Sequence, residues 1–164
     1  MTVITGERVR LRPIVATDRV RLREILATPE VARWWAEPEI EDFYAVEEGF
    51  TVYVIVLDGE VVGVIQSAEE PDPQYRHAGI DIALHPDFHG RGLGTDAVRA
   101  LARHLVAQGH HRLTIDPAAA NEAAIRAYTK VGFRPVGVLR DYERGPDGTW
   151  HDGLLMDLLA GELT

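Results

Sequence analysis

The chain contains no cysteine. That excludes disulfides and any thiol chemistry by the protein itself, and it fits a cytoplasmic protein without demanding one. No apolar run approaches the ~18 residues that a membrane-spanning helix needs. The opening residues, Met-Thr-Val-Ile-Thr-Gly-Glu, lack a basic region followed by an apolar one, so no signal peptide is expected. Neither an internal repeat nor a low-complexity linker interrupts the 164 residues, and one domain over 1–164 is predicted. Two phosphate-binding signatures are missing as well. The Lys of the nucleotide P-loop is absent, and so is the Gly-x-Gly-x-x-Gly spacing of dinucleotide-binding folds.

Positive charge is scarce where acid is dense. The net charge is −9, and residues 30–72 hold twelve acids against Arg33 alone. Such a block repels nucleic acid and anionic membranes and would concentrate a polycationic ligand. It is equally what a solvated acidic surface looks like.

The elements read as a mixed α/β domain around one sheet. Arg8 to Ile14 alternates and suggests an edge strand ended by Pro13. Thr17 or Asp18 caps a helix whose apolar face is Val20, Leu22, Ile25 and Leu26. Pro29 starts a short turn ending in Trp34-Trp35, and Phe43-Tyr44 marks a short helix or loop. Phe50 to Leu57 and Glu60 to Ser67 form a hairpin across Asp58-Gly59. After an acidic, proline-bearing loop, Arg76 to Leu84 forms a strand. Leu93, Ala97, Leu101 and Leu105 share one helix face, stopped by Gly109. Leu113 to Asp116 is a strand broken by Pro117, and Asn121 caps a helix over Glu122 to Val131. Val136 to Asp141 and Leu154 to Leu159 are the last two strands.

The stretch from His85 to Thr95 organises the rest. Gly90, Gly92 and Gly94 alternate with other residues between a strand and a helix. Glycine permits positive φ, so main-chain N–H groups can converge on one point, and the helix start adds more of them. Together these form an anion cradle suited to a pyrophosphate. The segment resembles the pyrophosphate loop of the GNAT superfamily of acyl-CoA-dependent N-acyltransferases, Gln/Arg-x-x-Gly-x-Gly/Ala. Here it reads His89-x-x-Gly92-x-Gly94, with His in place of Gln or Arg.

Acyl transfer to an amine needs a proton acceptor, a donor to the departing thiolate, and proximity. Asp81 stands among apolar residues on the strand that feeds the loop, where burial would raise its pKa. The alternative is an aspartate facing solvent, since Ile80, Ile82 and Leu84 would share the opposite face. Asp116 ends the next strand, where it is either a cleft carboxylate or a turn residue before Pro117. Tyr128 lies on the inner helix face with Asn121 on nearly the same side, either as a proton donor or as a half-buried core phenol. His85 and His89 are separated by a proline and lack a glutamate motif, and His110-His111 reads as a solvated loop. No metal is expected.

A wider set of residues narrows the resemblance. Trp34-Trp35, Gly79-Ile80-Asp81, the glycine loop, Asp116-Pro117, Asn121 and the run Ala124-Ile125-Arg126-Ala127-Tyr128-x-Lys130-x-Gly132-Phe133 occur in this order. The set is similar to the aminoglycoside 6′-N-acetyltransferases. That likeness implies a GNAT fold: one mixed, mostly antiparallel sheet of about seven strands flanked by helices. It implies direct acetyl transfer from acetyl-CoA to the 6′-amine of an aminoglycoside antibiotic in a ternary complex, with monomer or homodimer both open. Asp81 would meet the acceptor amine, with Asp116, Trp34 and Trp35 around it and Asp141, Glu143 and Asp152 as further acids. Main-chain groups of Ile82, Ala83 and Leu84 would take the pantetheine arm, flanked by Asn121, Tyr128 and Lys130, with Tyr128 as acid. His89, Gly90, Arg91, Gly92, Leu93, Gly94 and Thr95 would cradle the pyrophosphate. Other acceptors are open within the same chemistry: a siderophore lysine, a protein N-terminus or a polyamine. A non-catalytic module that binds acyl-CoA or an aminoglycoside is the reading of another class.

Overall fold

A computed structural model describes residues 2–35 and 40–164; Glu37 and Glu39 of the acidic stretch lie outside them. Eight strands form one sheet in the order β1-β2-β3-β4-β5-β6-β8-β7. They are β1 (Ile4–Thr5), β2 (Arg10–Pro13), β3 (Phe50–Leu57), β4 (Glu60–Glu70), β5 (His77–Leu84), β6 (Arg112–Ile115), β7 (Arg134–Arg144) and β8 (Trp150–Leu159). Every pairing is antiparallel except β5 with β6. The helices are α1 (Arg19–Ala27), α2 (Pro29–Ala32), α3 (Leu93–Ala107) and α4 (Glu122–Val131).

The count of about seven strands is corrected to eight. The added strand, β1, has only two residues, too few for alternation to register, yet it pairs Ile4 with Leu11 and Thr5 with Arg10. It thereby turns β2, expected at the edge, into an interior strand. Val20 is a second correction: it is 66% exposed while Leu22, Ile25 and Leu26 are buried. At about 100° per residue Val20 stands roughly 200° from Leu22, on the far side of the helix. Asp18 also differs from its expected role. It gives α1 no side-chain cap. Its carboxylate instead accepts the Val15 N–H at 2.8 Å and pairs with the Arg12 guanidinium at 2.9 Å.

The Asp58-Gly59 hairpin folds as expected, with φ of 50° and 82°, the two positive values that a right-twisted two-residue turn needs. Strands β4, β7 and β8 run past their expected ends. Hydrogen-bonded pairing continues through exposed polar residues, whereas alternation of hydrophobicity tracks only burial.

The two sheet faces have separate cores. On one, α3 and α4 bury Leu93, Leu101, Leu105, Tyr128 and Val131 against Ile80, Leu113 and Met156. On the other, α1 and α2 bury Leu22, Ile25 and Val31 against Val52, Val54, Val64 and Ala83. Among the described residues no helix is long and apolar enough to cross a membrane.

Candidate functional site

The parallel pair β5–β6 holds for only two register pairs, Ala78 with Leu113 and Gly79 with Thr114. Beyond Gly79, β5 continues to Leu84 with β4 as its sole partner strand, so its other edge opens into a cleft of about 640 Å³. The cleft runs between this edge, the glycine loop, α4 and the Trp34-Trp35 turn.

The loop is built as its composition demands. Gly90 and Gly92 have φ of 73° and 76°, and Gly92 is the N-cap of α3. The first bond within α3 runs from the Asp96 N–H to the Gly92 carbonyl at 3.0 Å. The amides of Leu93, Gly94 and Thr95 therefore have no acceptor in the helix, and they collect at its positive end. His89 braces the loop, its Nε2 lying 2.8 Å from the Leu84 carbonyl oxygen. Arg91 lays its guanidinium over the Phe88 ring at 5.2 Å.

The open edge of β5 is partly engaged. The His85 N–H donates to the Val62 carbonyl just past the Gly63–Leu84 pair, so hydrogen-bonded and non-hydrogen-bonded pairs alternate from there. Ala83 thus directs its main chain to Val64, whereas Ile82 and Leu84 direct theirs to the cleft. The Ile82 carbonyl accepts the Trp35 indole N–H at 3.1 Å, and the Ile82 N–H donates to Asp81 Oδ1 at 3.1 Å. Trp35 also packs against Phe43, with ring centroids 6.4 Å apart. Arg33 covers Trp34 at 4.6 Å.

Asp81 does sit opposite Ile80 in the alternation, but its face is not bulk solvent. Ala83 on that face is buried under α1 and α2, and Asp81 lines the cleft beside them. Asp81 is exposed to water on the side of the cleft, and the other cleft-lining residues stand around it. Desolvation, then the charge of Asp116, pushes its pKa up to about 7, with Glu143 adding and the Ile82 N–H opposing. Directly across the ladder on β4 stands Gln66, on the same sheet face. Its Oε1 is buried and has no hydrogen-bond partner among the described residues.

Tyr128 lines the cleft from α4 and is 8% exposed, its ring edge-on to Phe133 at 6.5 Å. Burial first, then the charges of Asp81 and Asp116, lifts its pKa far above the usual phenol value, so it stays protonated. Asn121 caps α4 as expected, accepting the Ala124 N–H at 3.2 Å. Asn121 and Lys130 both line the cleft.

At the acid end Asp116 accepts the Tyr142 hydroxyl at 2.6 Å. That bond, with burial, pushes the Tyr142 phenol up to about 12. The Glu143 carboxyl, also in the cleft, is raised by burial and by Asp116, with His151 opposing. Gly153 makes room for the Tyr142 ring, for a Cβ there would stand 2.9 Å from Tyr142 Cδ2.

Asp141, Asp152 and Arg91 do not line the cleft. Asp141 has φ of 45°, and its N–H donates to Asp152 Oδ1 at 2.9 Å. The two aspartates fasten the β7 irregularity between Leu139 and Glu143. That irregularity breaks the alternation, which is why Tyr142 carries no sequence signal. Gln66 is silent for another reason: a strand does not announce its register with its neighbour. His110 is corrected from a solvated loop residue. It is 2% exposed, with Nε2 2.6 Å from Glu69 Oε1.

The model of the acetyltransferase (GNAT) family matches residues 19–133. Aminoglycoside N(6')-acetyltransferases type 1 of Klebsiella pneumoniae and Serratia marcescens are each 33% identical over 142 residues, covering 72% of this chain and 68% of theirs. The structure of AAC(6')-Ib in complex with ribostamycin and coenzyme A superposes with a TM-score of 0.77 at 30% identity, covering 95% of this chain and 97% of that one. Mycobacterium smegmatis RimJ, in complex with CoA-disulfide, shares the fold with a TM-score of 0.84 at 24% identity, covering 99% and 89%. With its open β5 edge and glycine-capped α3, the chain belongs to the GNAT family of acetyltransferases.

Proposed function

We propose that the chain transfers the acetyl group of acetyl-CoA to a primary amine of a polycationic small molecule, and that the acceptor is the 6′-amine of an aminoglycoside antibiotic. One observation carries the reading: the anion cradle and a cluster of three carboxylates, Asp81, Asp116 and Glu143, line the same cleft. The cradle suits a diphosphate, and the carboxylates suit an ammonium-rich molecule.

The residues present fit acetyl-CoA, which supplies the activated acyl group. The amides of Leu93, Gly94 and Thr95, with the Gly90–Gly92 turn, take the diphosphate. The cleft-facing N–H of Leu84 would meet the pantetheine arm, beside Asn121 and Lys130. Asp81 takes a proton from the acceptor ammonium, directly or through a water, and the freed nitrogen attacks the acyl carbon. As the carbon–sulfur bond breaks, the Tyr128 hydroxyl gives its proton to sulfur, and the second proton leaving the acylated nitrogen passes through cleft water to the phenolate, restoring the phenol. Asp116 holds a further amine of the acceptor, and Trp34 with Trp35 walls its rings.

Free-thiol release from acetyl-CoA tests the reading with kanamycin, a polyamine and a peptide amine as acceptors. Kanamycin is expected to be used best, and Asp81→Asn to lose turnover while still binding acetyl-CoA. Preference for the peptide amine over every amino sugar would overturn the acceptor. Tight acetyl-CoA binding with no thiol release across the panel would make the chain a binding module.

A further inference from the structure

A cation stands at the glycine loop that belongs neither to the loop motif nor to the cleft lining. Arg8 lies 83 residues before Arg91, yet its Nη2 donates to the Arg91 main-chain oxygen. A Cβ placed on Gly92 would stand 3.2 Å from the same nitrogen, so the guanidinium lies against the N-cap of α3. A clamp holds it there. Asp96, 6% exposed in the first turns of α3, accepts the main-chain N–H groups of Glu7 at 2.8 Å, Arg8 at 2.8 Å and Val9 at 3.0 Å. Gly6 completes the fit, because a Cβ there would stand 2.7 Å from Asp96 Oδ1.

The clamp sets the Arg8 charge near the Asp96 carboxylate without a direct ion pair, and that charge helps hold the carboxyl ionised. The Asp96 carboxylate is occupied by main-chain amides, and among the described residues Arg8 forms no ion pair with it or with any other acid. An exposed guanidinium, bonded to a main-chain carbonyl and to no acid among the described residues, therefore sits at the positive end of a 15-residue helix, next to three amides without intrahelical acceptors. Cations are disfavoured at that end and anions favoured. Loop, helix start and guanidinium converge on one requirement, a strongly negative group with several oxygens. A phosphate meets it, and arginine binds phosphate through its planar set of donors.

We infer that Arg8 is a phosphate ligand for acetyl-CoA, delivered to the glycine loop by the Gly6–Asp96 clamp; this rests on the acyl-CoA reading above. Coenzyme A carries a diphosphate and a separate 3′-phosphate, and either offers the chemistry. Calorimetric titration of the full chain with CoA and with dephospho-CoA, which lacks the 3′-phosphate, tests it alongside melting curves. Arg8→Gln is expected to weaken CoA binding about tenfold or more, as loss of a charge-assisted contact does, with little change in Tm. Arg8→Lys, which keeps the charge but loses the planar fork, should recover part of the affinity. Loss with CoA alone assigns Arg8 to the 3′-phosphate, and equal loss with both ligands assigns it to the diphosphate. Binding by Arg8→Gln within twofold of wild type for both ligands overturns the inference. Failure of the wild type to bind CoA would instead remove the acyl-CoA reading itself.

Discussion

Asp81 is the residue whose chemistry depends most on its surroundings. Its pKa near 7 means that the ionised, proton-accepting form rises through the neutral range. With a saturating acceptor, kcat should climb between about pH 6 and 8 in the wild type, and Asp81→Asn should lower it about 10²–10⁴-fold, the usual worth of a positioned base. A wild-type profile flat across that interval would remove Asp81 as the base. The stability effect has the opposite sense. The folded pKa lies above the unfolded value near 4, so ionisation penalises the native state, and stability is lost as pH rises from about 4 through about 7. Asp81→Asn escapes this, so its Tm should gain on wild type from pH 4 to pH 8. Equal Tm differences at both ends would contradict the desolvation account. Tyr128→Phe keeps the ring packed on Phe133 and removes only the hydroxyl. Turnover should fall while the Kd for CoA stays within about twofold; unchanged turnover would leave Tyr128 as a core residue. The types and order of these residues are plain in the chain. Their environments are not, because desolvation and the nearness of Asp116 arise only when β5 and β6 are laid side by side.

Among elements, α3 is the one most tied to distant sequence. The Asp96 clamp joins its first turns to residues 7–9, and its three amides hold the Asp96 carboxyl below the usual carboxylate range. With the folded pKa depressed, this contribution is present at neutral pH and is lost as the pH falls below about 4. Asp96→Ala should cost about 2–4 kcal/mol at pH 7, since it strands part-buried amides, and the difference from wild type should shrink in acid. Gly6→Ala should cost about 1–3 kcal/mol by crowding the same carboxylate. Denaturant unfolding at pH 7 measures both, and a neutral Gly6→Ala would show that the Gly6–Asp96 clamp yields freely. Helix α3 itself was legible from its apolar spacing and glycine start. The strand β1 and the clamp were not, because a two-residue strand has no period and a contact 87–89 residues apart leaves no local trace.

For the molecule as a whole, charge is the property that acts at a distance. Twelve acids in residues 30–72 face one arginine, and the cleft ends in acids as well. A polycationic acceptor should be drawn in at low ionic strength, and its KM should rise several-fold between about 20 and 200 mM salt with kcat nearly constant. A neutral mono-amine should show little of this, and an equal salt response for both acceptors would make the acidic block a solvated surface only.

The sequence by itself determined what is local. The Asp58-Gly59 hairpin, the glycine-opened α3, the Asn121 cap and the order of strands and helices follow from φ preferences, capping and periodicity within a few residues. It also carried the candidate chemistry, since the types and order of Asp81, the glycine loop, Asp116 and Tyr128 stand in the chain itself. Only the tertiary structure decided which groups share a space. It left Asp141 and Asp152 outside the cleft lining and tied them to each other, brought Tyr142 to Asp116, paired Gln66 with Asp81 across the β4–β5 ladder, and set Arg8 against the glycine loop. Strand register, a bulge and the closing of long loops make those choices, and each is a matter of pairing across the chain that no single stretch of residues records.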